Sequence, residues 1–208
     1  MFGDGALSFR EFVMREPVPL ATIHDAVLQF LRDRDDAVLY GAQAVNAYVD
    51  EPRMTHDVDL ISTRAAELAD EIRAHLAARF TIATRVRSVR GGLGYRVYQL
   101  QEPKNRHLVD VRSVSTLPDS QRVEGVLVLS PPDLICAKVL GMVERDKTPK
   151  GATDLADLRR LLLAFPELKA NEGPVGERLQ ASRGPESALA AWRQLVAEDI
   201  RPTADDDM

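Results

Sequence analysis

The run Asp57-Val58-Asp59-Leu60 constrains this chain more than any other stretch. In an extended strand successive side chains point to opposite faces, so Asp57 and Asp59 share one face and Val58 and Leu60 the other. The apolar pair anchors such a strand in a core and leaves the acids at its rim. Two carboxylates held this way repel each other unless a cation lies between them, and hard oxygen ligands suit Mg²⁺ (or Mn²⁺). Upstream, Leu39-Tyr40-Gly41-Ala42-Gln43 supplies a short apolar strand, a turn-forming glycine and the start of a helix. The two segments together read as a metal-dependent phosphoryl-transfer site.

An Asp-x-Asp pair alone is unspecific in a chain with 32 acidic residues, where such pairs arise by chance and usually decorate a solvated face. A third carboxylate sharpens the reading. In His107-Leu108-Val109-Asp110-Val111-Arg112, Val109 and Val111 flank Asp110 as Val58 flanks the first pair. A neighbouring strand then brings Asp110 beside them, and three carboxylates can hold two metal ions about 3.5–4 Å apart.

At this point the chain resembles the DNA polymerase β-like nucleotidyltransferase superfamily, whose pattern is an apolar strand, Gly-Gly or Gly-Ser, a short helix, Asp-x-Asp, and a later third Asp. The fuller pattern, Tyr40-Gly41-Ala42 through Pro52-Arg53-x-Thr55-x-Asp57-Val58-Asp59-Leu60, looks most like the abortive-infection-type nucleotidyltransferase toxins. The resemblance implies catalytic and metal-binding roles for Asp57, Asp59 and Asp110. It implies nucleotide contacts for Gly41, Ala42, Gln43, Thr55 and Lys138, with a nucleoside triphosphate such as ATP as substrate. It also implies an RNA acceptor, at a tRNA 3′ end, and a cognate antitoxin protein. Ala42 departs from the family, which has a second Gly or Ser there. That removes a hydroxyl contact to phosphate, while backbone N–H groups at the helix start can still meet an anion.

Composition accommodates this reading. A length of 208 residues fits one medium domain or a small domain with a helical extension, and 45% hydrophobic residues suffice for a core. No apolar run is long enough to span a bilayer. Met1-Phe2-Gly3-Asp4-Gly5 lacks a secretory pattern, and Cys136 is the single cysteine, which together predict a cytoplasmic protein without internal disulfides. Cys136 lies in Leu134-Ile135-Cys136-Ala137 and is read as a core residue. The net charge of −5 argues against a generic polyanion binder, but from Ile72 to Val109 the only acid is Glu102, against Arg73, Arg79, Arg85, Arg87, Arg90, Arg96, Lys104 and Arg106. That segment either steers a nucleic acid toward Asp110 or is an ordinary solvated strand surface without an aromatic ladder.

Periodicity predicts helices over 21–31, 43–49, 64–80, 134–143 and 186–200, and strands over 37–40, 57–61, 81–89, 95–100, 108–114 and 123–129. Arg90-Gly91-Gly92-Leu93-Gly94 reads as a hairpin turn and Lys147-Thr148-Pro149-Lys150-Gly151 as a loop. Ser130 is a candidate N-cap with Pro131 at the first helical position. The predicted fold is α+β: a polymerase β-like core of mixed twisted sheet and flanking helices over 19–117, preceded by an arm at 1–18. A strand and helical C-terminal part follow over 118–200, then an acidic tail at 201–208 expected to be disordered.

Lys138 interrupts an otherwise apolar helix, and such a cation needs an anionic partner or must snorkel to water. Phosphate contact and pairing with an aspartate are both open. The late Lys…Arg…Asp-x-x-Asp-Leu pattern of the resembling family falls on Lys138, Arg145, Asp154 and Asp157. Here Leu155, Leu158 and Leu162 are expected to form the buried stripe and the two acids another face. Those acids either complement the helix dipole, orient Lys138 or Arg145, or act as a base. Arg53 is a further candidate beside the acid pair. The chemistry class leaves a small-molecule or protein acceptor open, and a non-catalytic nucleotide- or nucleic-acid-binding domain is the alternative outside enzymes.

Overall fold

The computed structural model of the chain describes residues 18–182 and 184–202. The arm expected at 1–18, apart from Val18, and the tail expected at 201–208, apart from Arg201 and Pro202, lie outside the described residues. The fold is mixed α+β, and its residues cluster in two compact units that interleave in sequence. Among the described residues, one takes 18–37 and His56–Leu117; the other takes Val38–Thr55 and the residues from Pro118 to Pro202. The strand, glycine turn and loop at 38–55 thus group with the C-terminal part.

The first unit contains α1 (Leu20–Leu31), β2 (Val58–Ser62), α3 (Ala65–Phe80), β3 (Thr84–Val89), β4 (Gly94–Gln99) and β5 (Arg106–Ser113). Its strands lie in the order β3-β4-β5-β2, antiparallel except for the parallel β2–β5 pair. Alternation decides the faces: Val58, Leu60, Val97, Val109 and Val111 are fully buried. Helix α3 covers β3, β4 and β5, presenting Leu68, Ala69, Ile72 and Leu76, an i, i+4 stripe with no exposure. The hairpin at Arg90–Gly92 places Arg90, Gly91 and Gly92 at φ of 54°, 66° and 92°, the region where glycine carries no Cβ penalty.

The second unit contains β1 (Ala37–Tyr40), α2 (Gly41–Asn46), β6 (Ser120–Val123), β7 (Val126–Leu129), α4 (Pro131–Glu144), α5 (Pro149–Ala164), α6 (Pro174–Ala181) and α7 (Glu186–Ala197). β7 pairs parallel to β1 and antiparallel to β6. The single strand expected over 123–129 is in fact a hairpin. Glu124 and Gly125 adopt φ of 47° and 87°, giving a two-residue turn of the primed kind that matches strand twist. The loop expected at 147–151 instead starts α5: Thr148 caps it by accepting from the Gly151 N–H at 3.1 Å, with Pro149 at the first helical position. Helix α6 was not anticipated. Ser130 caps α4 as expected, and Trp192 is a packing residue, buried with its indole N–H on the Ala170 carbonyl at 3.2 Å.

Candidate active site

In the first unit, backbone pairing alone sets the acids side by side. Asp59 on β2 is the register partner of Asp110 on β5, with Asp57 two residues earlier at the strand entrance. Their neighbours Val58, Leu60, Val109 and Val111 are fully buried, so the acids occupy the opposite, half-exposed face. Two of them have cationic or ring partners that sequence reading missed. Arg96, the register partner of Asp110 on β4, donates through Nε to Asp110 Oδ2 at 2.8 Å. The hydrogen bond to Asp110 holds the Arg96 guanidinium above its ordinary pKa, with Tyr98 as a second partner. His107 Nδ1 lies 3.1 Å from Asp57 Oδ2. No periodicity reveals either contact, because both depend on which strands are neighbours. His24, buried on α1, is held below its ordinary value of 6.5 by desolvation, with the Asp57 charge pulling the other way. It is therefore a neutral imidazole at pH 7.

Carboxylate oxygens suit a divalent cation, and Asp59 and Asp110 are one strand spacing apart, about 4.8 Å. As they stand, no three acidic, histidine or cysteine groups among the described residues converge in a ligand cluster; Asp110 faces Arg96 and Asp57 faces His107. The donor set fits Mg²⁺ in chemistry, with Arg96 occupying the place of a positive counter-charge on Asp110.

The second unit carries the remaining candidates. Gly41, at φ 72°, opens α2 directly from β1, and Ala42 and Gln43 follow in its first turn. Gln43 Nε2 donates to Thr55 Oγ1 at 2.7 Å, and Asn46 clamps the loop by donating to the Arg53 carbonyl at 2.8 Å and accepting from its N–H at 3.1 Å. Arg53 then grips Asp157 with both Nε (2.7 Å) and Nη2 (2.8 Å), a bidentate pair.

Lys138 is buried at 8% exposure and donates to Asp154 Oδ1 at 3.0 Å and Asp157 Oδ2 at 2.6 Å. Of the two readings open for it, the geometry supplies the aspartate pair. Arg145 reaches Asp154 Oδ2 through Nη2 at 2.7 Å. A Cβ on Gly141 would stand 2.1 Å from that Nη2, so glycine leaves the guanidinium its path over the helix.

Asp154 and Asp157 are 4% and 0% exposed, which corrects the expected face: the buried stripe of α5 runs through Asp154, Asp157, Leu158, Leu161 and Leu162. They lie beyond its first turn, where the helix dipole has faded, so dipole complementation does not account for them. Burial pushes the Asp157 carboxyl upward, but Arg53 and Lys138 outweigh it and hold it below 3.8. Cys136 is buried, and desolvation raises its thiol to about 11, which agrees with a core role.

In the first unit, adjacent strands thus carry acids on one face of the sheet while helix α3 packs against it. The structure of JHP933 from Helicobacter pylori is similar, with a TM-score of 0.57 and 16% identity over 94% of this chain and 84% of that one. A putative nucleotidyltransferase from H. pylori gives 0.57, 16%, 93% and 86%. The Megavirus polyadenylate synthase matches with a TM-score of 0.56 and 13% identity over 74% of this chain, which spans only 33% of that protein. At such identities the likeness is one of fold. No curated protein matches the chain with significance. The family described as nucleotidyl transferase AbiEii toxin, type IV TA system, matches residues 25–181, more than half of the chain. The chain belongs to this family and is a nucleotidyltransferase. Among the described residues no helix is long and apolar enough to cross a membrane.

Proposed function

We propose that the protein transfers a nucleoside monophosphate from a nucleoside triphosphate, ATP among the candidates, to a hydroxyl of RNA at a tRNA 3′ end. On this reading it acts in the cytoplasm as the toxin of a pair whose antitoxin is a protein. The observation that carries the reaction is the register of Asp59 with Asp110, with Asp57 two residues away on the same rim. The type IV toxin family supports the toxin role and the protein partner, and the arginine-rich strands β3 and β4 support a polyanionic acceptor.

A divalent cation, Mg²⁺ or Mn²⁺, would be held by Asp57, Asp59 and Asp110 and would neutralise charge on the triphosphate. His107 orients the Asp57 carboxylate, and Arg96 balances Asp110. Asp110 accepts the proton of the attacking hydroxyl. The acceptor oxygen bonds to the α-phosphorus, the bond to the bridging oxygen breaks in line, and pyrophosphate leaves. Positioning and charge stabilisation supply most of the acceleration. Within the second unit, Lys138 with Arg53, Arg145, Asp154 and Asp157 holds the 47–55 loop that carries Thr55.

Incubation with each α-labelled nucleoside triphosphate, Mg²⁺ and total cellular RNA, resolved by size, tests the reading. Label on an RNA band of tRNA size, lost with Asp57→Ala, is the expected result. Label confined to protein or small metabolites would overturn the RNA acceptor and leave nucleotidyl transfer standing.

A further inference from the structure

The strand register of the first unit extends the acid pair into an ordered row. Asp59 partners Asp110, Asp110 partners Arg96, and Arg96 partners Arg87. Register partners project to the same face, so these side chains cross the sheet from β2 to β3 at about 4.8 Å per strand. A second row runs beside it. Asp57 meets His107, His107 partners Tyr98, and Tyr98 partners Arg85. Each row starts at a carboxylate and ends at an arginine. Arg85, Arg87 and Arg112 are exposed, strands β3 and β4 contain no acidic residue, and α3 packs on the other side of these strands. The Tyr98 and His107 rings lie 5.2 Å apart at the boundary between acids and arginines.

We propose that this sheet face is the dock for the acceptor strand: a single-stranded polynucleotide whose terminal base stacks on the Tyr98–His107 pair beside Asp57 and Asp59, and whose preceding phosphates lie on Arg85 and Arg87. The inference rests on the RNA-acceptor reading and adds where and in what form that acceptor binds. Charge complementarity selects a phosphodiester chain. A sheet face with a ring pair offers a stacking platform to splayed bases, whereas a duplex keeps its bases stacked and unavailable.

Anisotropy of a fluorescent single-stranded oligoribonucleotide, titrated with the full chain over a series of salt concentrations, reads both contributions. For single strands the log–log salt slope is about −0.7 per neutralised phosphate, so Arg85→Gln with Arg87→Gln makes the slope shallower by about 1.4. Tyr98→Leu weakens binding roughly 5- to 150-fold at unchanged slope, the size of one base–aromatic stack, and Tyr98→Phe restores it. Arg73→Gln on α3, on the opposite side of the unit, leaves both unchanged. Duplex RNA binding less tightly than the single strand supports the proposal, and equal or tighter duplex binding overturns it. A single-stranded DNA of the same sequence separates backbone recognition from a requirement for the 2′-hydroxyl.

Unchanged slopes for the double arginine variant, with RNA still bound and labelled by the parent protein, overturn the dock and leave the RNA reading intact. Absence of polynucleotide binding by the parent protein, with label on another acceptor, overturns both. Thermal melts of each variant separate lost binding from lost folding, and that of Arg85→Gln with Arg87→Gln is expected to match the parent because both arginines are exposed.

Discussion

At the scale of single residues, the acids and the glycines make opposite demands on the fold. Asp57, Asp59 and Asp110 sit on a half-exposed rim, so Asp57→Ala, Asp59→Ala and Asp110→Ala each remove transfer while leaving the melting temperature within a few degrees. Asp110→Ala strips Arg96 of its partner, but that guanidinium is 37% exposed, and losing such a pair costs about 1 kcal/mol or less. Parental turnover by Asp59→Ala would end the metal-site proposal. The glycines behave differently. A Cβ on Gly141 meets the movable tip of Arg145 at 2.1 Å, whereas one on Gly151 meets the Arg145 carbonyl oxygen, part of the backbone, at 2.2 Å. Gly141→Ala is therefore expected to displace Arg145 from Asp154 and to show little further loss when combined with Arg145→Ala, the signature of coupled sites. Gly151→Ala, with no side chain able to yield, is expected to be the more destabilising in denaturant titrations.

At the scale of elements, α4 and α5 are joined by Lys138, Asp154 and Asp157, and α5 to the 47–55 loop by Arg53 and Asp157. Lys138→Met leaves two buried carboxylates without their shared cation. Leaving a buried charge wholly unpaired costs about 3–5 kcal/mol, or roughly 6–20 °C in melting temperature for a chain of this size; Arg53 and Arg145 remain on these carboxylates, so that range is the upper bound expected. An unchanged melt with weakened nucleotide binding would return Lys138 to phosphate contact. The Asp157 carboxyl has its folded pKa held below the ordinary 3.8. The unfolded state then takes up its proton first as pH falls, so this stability is complete above about pH 4 and is lost below it. Asp157→Asn is expected to lower stability at pH 7 and to flatten the acid limb of a stability–pH curve. An acid limb as steep as the parent's would remove Asp157 as its source.

These pairings also mark where sequence reading stopped. The Lys138 helix and the later acids were visible as a pattern, but their burial was not, because an apolar-stripe count assigns aspartates outward until their cations are placed. The Glu124-Gly125 hairpin was missed for a related reason: the run Val123 to Leu129 reads as one apolar strand unless Gly125 is given its positive φ.

At the scale of the whole molecule, the strands that carry the acids, the Gly41 turn and the hairpin at Arg90–Gly92 were legible because alternation and glycine are local signals. The pairing of β2 with β5, and thus the meeting of Asp59 with Asp110, was inferred from matched flanking valines and is found in the β2–β5 register. The grouping of 38–55 with the C-terminal part was not legible, since it rests on long-range partners such as Arg53 with Asp157 and the Tyr48 hydroxyl donating to the Leu129 carbonyl at 2.9 Å. Burial raises that tyrosine's pKa to about 12, so it stays a donor throughout the neutral range. Ligand linkage gives a global test of the carboxylate rim. A nucleoside triphosphate at 100 times its dissociation constant adds about 2.7 kcal/mol to the folded state, or roughly 5–11 °C for a chain of this length. If Asp57 and Asp59 hold the cation that carries the triphosphate, this shift appears with Mg²⁺, disappears with a chelator, and is absent from Asp57→Ala at any Mg²⁺ concentration. A shift of equal size without divalent cation would show that the triphosphate binds through the protein alone, and the carboxylates would then need another role.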